Sequence, residues 1–174
     1  MQTHERPFAV EPQSPGLRER VFDGPLEFGQ LVRDALACAA REGWADMVWS
    51  DVSFEDWPLG EKAVEESLQA WSRSGRRLVV LSRNYDVVRR QHARFVRWRT
   101  QWDHLVECRV CKGVDASEFP SVLWSPHWAM HRVDGVRSRG IASVDPLRRM
   151  RLKEALDECK RHSSPGFPAS ILGL

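Results

Sequence analysis

The feature that most constrains this chain is an alternation. Three short apolar runs, ADMVWSD at 45–51, RRLVVLSR at 76–83 and HLVECRV at 104–110, alternate with stretches whose apolar residues recur at helical intervals. Over 25–42, Phe28, Leu31, Leu36 and Ala39 share one stripe, and Gly43 supplies a stop. Over 60–74, Val64, Leu68 and Trp71 lie at i, i+4 and i+7, closed by Gly75. Over 85–101, with Trp102 just beyond, Val88, Phe95, Trp98 and Trp102 predict a third buried stripe. Strands that alternate with helices are joined by right-handed crossovers and lie parallel.

After residue 110 the rhythm changes. SVLWS at 121–125 and WAMHRVD at 128–134 read as short strands, Gly135 as a turn, and VRSRGIASV at 136–144 as an antiparallel return. Asp145-Pro146 opens a last helix to about His162, because Asp accepts backbone N–H bonds and Pro suits the first turn. The expected fold is one α/β domain over 21–163, a mixed, mostly parallel sheet with helices on both faces. Residues 1–20, with Pro7, Pro12 and Pro15, read as a flexible arm, and 164–174 as an irregular tail.

Bulk properties narrow the class. A chain of 174 residues, 42% hydrophobic and 29% charged, is the size and composition of one soluble domain. No apolar run reaches the roughly 18 residues of a membrane span, and the start lacks the apolar stretch of a secretory signal. The expected location is therefore cytoplasmic, where the four cysteines are thiols or ligands. A net charge of +2 does not by itself point to nucleic acid.

The most chemistry-rich stretch is SPHWAMHRVDG, 125–135. His127 and Asp134 stand seven apart, and Gly140 to Ser143 (GIAS) follows the turn. This arrangement resembles the His-x-Lys-x-x-x-x-Asp motif of phospholipase D-like proteins, with their later glycine-containing stretch. The element order over 45–162 resembles one half of that fold. DWPLGE and WDHLVECR add a likeness to small bacterial proteins with a degenerate version of that half. In the family, one histidine attacks phosphorus, a histidine of the other half protonates the leaving group, and the lysine neutralises the phosphate oxygens. A single half therefore implies a homodimer.

The chain departs from the motif at the lysine, where it has Ala129. Loss of a preorganised partner near developing charge costs on the order of a few kcal/mol of transition-state stabilisation. On a straight strand His131 shares the face of His127 and Ala129, whereas Arg132 points to the other face. With His131 as reference the motif positions fall on Val133 and Ser138, a worse match. The resemblance implies, for a non-catalytic descendant, a binding or scaffold role. For a phosphodiesterase it implies His127 or His131 as nucleophile and Asp134 as orienter. The plain alternative is hydrogen-bonded strand histidines and an Asp134-Gly135 hairpin turn.

Three other groups carry chemistry. Arg90, Arg94 and Arg97, at i, i+4 and i+7, form a basic stripe, and Arg137 and Arg139 alternate on a strand. Arg148, Arg149, Arg151 and Lys153 crowd the start of the last helix, where cations oppose its dipole unless an anion compensates. Such clusters suit an anionic ligand or nucleic acid, or else form a solvated face balanced by acids. Trp124 and Trp128 flank the histidines as candidates for a dimer interface or a base-stacking surface, or as core. Cys108 and Cys111, with Cys159 and His162, make a zinc-type ligand set, hence the further alternative of a zinc-stabilised nucleic-acid module. Plain burial of the cysteines, with no cofactor, is the simpler expectation.

Overall fold

A computed structural model describes residues 17–169; the arm residues 1–16 and the tail residues 170–174 lie outside the described residues. The strands are β1 (Arg20–Asp23), β2 (Asp46–Asp51), β3 (Arg77–Ser82), β4 (Val106–Val110), β5 (Ser121–Trp124), β6 (Ala129–Asp134), β7 (Arg139–Ser143) and β8 (Ser164–Pro165). The helices are α1 (Pro25–Glu42), α2 (Lys62–Trp71), α3 (Asp86–Gln91), α4 (Ala93–Gln101) and α5 (Pro146–Arg161). All strands join one eight-stranded sheet in the order β1-β7-β6-β5-β2-β3-β4-β8.

The sheet is mixed and carries helices on both faces, as the alternation implies. Parallel pairing is confined to β2–β3 and β3–β4, where helices make the crossovers. The other five ladders are antiparallel, so the weight on parallel pairing is corrected. The physical reason lies in the connections: β5, β6 and β7 are joined by tight hairpins too short for a crossover. The edges hold two strands the patterning did not show. β1 takes in Arg20, assigned to the arm, and Ser164–Pro165 of the tail pairs with β4. Strands this short take their pairing from a neighbour, not from a periodicity of their own.

α1 matches its predicted span, and Gly43 ends it in the left-handed conformation, φ 66°. The third predicted helix is broken. His92, at φ −117° and ψ 53°, divides α3 from α4. Its buried ring is held by the Phe54 carbonyl, which accepts from Nε2 at 2.7 Å. Gly140 has a separate role: a Cβ there would lie 2.0 Å from the His131 carbonyl oxygen and 2.5 Å from Phe22 Cζ. β7 thus lies close to β6 only because that side chain is absent.

Sequential sheet residues separate two cores. Met47, Trp49, Leu78, Val80 and Leu123 face α1, α2 and α4. Trp44, Trp49, Trp57, Trp71, Trp98 and Trp128 are all fully buried there. Three of their indoles are anchored: Trp71 Nε1 donates to the Trp44 carbonyl at 2.6 Å, Trp98 Nε1 to Ser72 Oγ at 2.9 Å and Trp44 Nε1 to Glu42 Oε2 at 3.0 Å. On the other face Val48, Val79, Leu81 and Val122 meet Leu156 and Cys159 of α5.

Candidate functional site

β6 lies between β5 and β7, and its side chains alternate between the two cores. Met130 and Arg132 face α1; the Arg132 guanidinium carbon lies 4.2 Å from the Phe28 ring centre. Ala129 and His131 face the α5 side, opposite Trp124 and Val122 on β5. His131 is half-buried, and burial first, then the Arg148 charge, holds its pKa below the ordinary 6.5.

His127 does not share that face. It sits in the bend before β6, exposed, with its ring 5.9 Å from that of Trp44. Strand alternation stops at the hairpin, so the expected alignment of His127 with His131 is not formed. Asp134 lies at the far end of β6, beside a register shift, and its Oδ1 accepts from the Arg137 backbone N–H at 3.0 Å. It closes the turn. Among the described residues no hydrogen bond links the three candidates to one another.

The cation that β6 does carry is committed elsewhere. Arg132 Nη2 lies 2.9 Å from Asp51 Oδ1, and Nη1 lies 3.0 Å from Asp56 Oδ2. Its Nε donates to Ser121 Oγ at 3.1 Å, and Asp51 also accepts from the Phe54 backbone N–H at 2.7 Å. This network ties β2, β5 and β6 together and leaves the guanidinium no room for a phosphate. Sequence reasoning missed Asp51. The available signal was an acid at the end of an otherwise apolar strand, which needs a partner once buried.

The basic stripes also rearrange. The break at His92 separates Arg90 from Arg94 and Arg97. Arg90 Nε bonds the Asp86 carbonyl at 3.4 Å, whereas Arg94 and Arg97 share Glu65 at 3.8 and 3.5 Å. Arg137 falls in the turn, not on the strand, and Arg139 pairs with Asp23 at 2.8 Å. The start of α5 differs. It holds Arg148, Arg149 and Arg151, has no acid in its first turn, and is capped by Asp145, which accepts from the Leu147 and Arg148 N–H groups. The Arg149 guanidinium bonds the Pro126 carbonyl, beside His127. Arg148 and Arg151 are exposed and carry no ion pair among the described residues.

Trp128 lies in the core, not at an open surface, so its reading as an interface residue is corrected. Trp124 is half-buried under α5: its Nε1 donates to the Arg149 carbonyl at 2.9 Å, and Lys153 Nζ lies 5.4 Å from its ring. Trp124 walls a groove of about 240 Å³ between α5 and the sheet, with Val48, Val79 and Leu156 below and Lys153 and Lys160 at the rim.

The four-ligand zinc set is not brought together. Cys108 packs in the core beneath α1, α2 and α4, whereas Cys111 and Cys159 lie in the core beneath α5. His162 is exposed and bonds Glu158 at 2.9 Å. Among the described residues no group of three His, Cys, Asp or Glu is placed to hold a metal ion.

No family model matches the sequence, and no curated protein matches it. Solved structures do share its architecture. TrmBL2, an archaeal chromatin protein whose structure shows a novel mode of DNA binding, aligns at TM-score 0.64 and 13% identity over 90% of this chain. The chain spans 57% of TrmBL2's length. Nuc from Salmonella typhimurium, a phospholipase D family member, aligns at TM-score 0.55 and 8% identity, over 87% of this chain and 100% of Nuc. The fold is phospholipase D-like. Identities this low speak to the backbone alone. On this phospholipase D-like sheet Ala129, which the sequence resemblance sets against the motif lysine, is 1% exposed beside Trp124 and Ser143. No helix among the described residues is long and apolar enough to cross a membrane.

Proposed function

We propose that the chain is a non-catalytic phospholipase D-like protein, homodimeric, that binds an anionic ligand of the nucleic-acid class at the start of α5. The observation that carries this reading is Ala129. A buried methyl stands where phosphoryl transfer needs a cation, and the neighbouring cation, Arg132, is turned away and consumed by Asp51. Binding needs no such lysine. It needs exposed, unpaired cations, and Arg148 and Arg151 supply them at a helix start whose dipole also favours anions. TrmBL2, described as a DNA-binding chromatin protein, fits this ligand class. A second copy fits the bare sheet face beyond α5, where Val21, 73% exposed, lies in a row with Ile141 and His131.

The test has two arms. Hydrolysis of bis(p-nitrophenyl) phosphate should not exceed the buffer rate. Anisotropy of a labelled oligonucleotide should show binding that weakens with salt, and Arg148→Ala with Arg151→Ala should lower the log–log salt slope by about 2. Turnover that disappears in His127→Ala would overturn the non-catalytic reading. One observation favours that phosphodiesterase alternative: His127 is exposed, and the Arg149 guanidinium reaches its neighbour Pro126.

A further inference from the structure

In the sequence Cys111 and Cys159 belong to separate pairs; in the fold they belong to each other. Cys111 follows β4, where its backbone N–H donates to the Ser82 carbonyl at 2.9 Å. Cys159 lies in the last turn of α5. Cys111 Sγ donates to the Cys159 carbonyl at 3.6 Å. Both are in the core beneath α5, 2% and 8% exposed. The position matters because α5 is thinly seated: of its 16 residues only Leu156 and Cys159 are buried.

We propose that Cys111 and Cys159 form an oxidisable dithiol, which a hydroperoxide converts to a disulfide that clamps the end of α5 to the end of β4. The Cys159 sulfur, after losing its proton, attacks the outer peroxide oxygen. The O–O bond breaks, leaving a sulfenic acid on Cys159 and releasing water or an alcohol. The Cys111 sulfur, losing its proton in turn, attacks the Cys159 sulfur; the S–O bond breaks and a water leaves. Two thiols lose two electrons and two protons in all, and the peroxide is reduced. Cys159 is the first to react because it is the more exposed of the two. The neighbouring Cys111 thiol also holds the Cys159 pKa below the ordinary thiol value. The adjacent Cys159 thiol, with burial, pushes the Cys111 thiol up. That suits Cys111 to the second, resolving step. The clamp would steady the helix that carries Arg148, Arg151 and the groove wall, but the thiol chemistry does not depend on what that helix binds.

Hydrogen peroxide added to the folded full-length protein tests this. The expected result is a mass loss of two hydrogens, reversed by dithiothreitol, with Cys111 and Cys159 in one linked peptide. Amide exchange across 154–161 should slow on oxidation. In Cys111→Ser the disulfide should be lost and Cys159 should carry sulfenic or sulfinic acid instead. Peptide mapping of the wild-type protein decides the question even if that variant folds poorly. A bond between any other pair of cysteines, or four thiols that stay reduced under peroxide that oxidises exposed methionine, would overturn the proposal.

Discussion

On one face of the sheet α1 presents 18 residues and buries eight; on the other α5 presents 16 and buries two. The first face is closed by six buried tryptophans, whose rings meet at centroid distances such as 5.8 Å for Trp49–Trp57 and 6.3 Å for Trp71–Trp98. The second face is closed by one seam, Leu156 and Cys159 over Val48, Val79 and Leu81, and leaves a groove beside it. Apolar area removed from water sets the strength of each attachment, so two helices of similar length are held very unequally. Arg148 and Arg151, exposed and without an ion pair among the described residues, sit on the loosely held one. Opening of such an element costs less than global unfolding, and ligand-contacting elements are drawn from that end of the stability range.

The largest effects should come from the tightly packed face. Trp128→Ala should lower global stability by about 4 kcal/mol, seen as one cooperative shift in urea unfolding. If stability hardly changes, Trp128 is not a core residue and the contrast between the faces fails. Arg132→Ala should follow at about 3 kcal/mol, because it strands Asp51 without its cation beneath the loop. Leu156→Ala should cost about 2 kcal/mol and act differently. Amide exchange should rise across 146–161 while β2 and β3 stay protected. Equal loss of protection on both faces would show that α5 unfolds only with the whole domain.

The same contrast explains what could be read in advance. Segments that bury a full stripe announced themselves. Pro25–Glu42 closed by Gly43, and the continuous runs of β2 and β3, are fully specified by local apolar spacing. What escaped depends on partners distant in sequence. The break at His92 follows from a ring bond to the Phe54 carbonyl, 38 residues away. β1 exists because β7 offers it a ladder. His127 and His131 look aligned when the strand is extended through 127, but the bend at Pro126 removes the premise. The pairing of Arg132 with Asp51, 81 residues apart, has no local signature at all. Half-fold architecture was thus legible, while the side chains of the candidate site were partitioned by contacts that no short window contains.

The smallest effect is also the most discriminating, because it reads across the seam. Burial and Arg148 hold the His131 pKa in the folded chain below its unfolded value near 6.5. The unfolded state therefore binds the extra proton first. The corresponding stability is whole above about pH 6.5 and is lost as pH falls through that value towards the folded pKa. His131→Gln should remove this part of the acid sensitivity, which chemical denaturation at a series of pH values can measure. Arg148→Ala should raise the His131 pKa towards its ordinary value, as followed by the imidazole proton signal, while burial keeps it from reaching that value. Leu156→Ala should do the same without touching either residue, because it frees the helix that carries Arg148. If Arg148→Ala shifts His131 and Leu156→Ala does not, the first turn of α5 is held by its own contacts to β5, above all the Trp124–Arg149 bond, and the helix is anchored at its start as well as at its end.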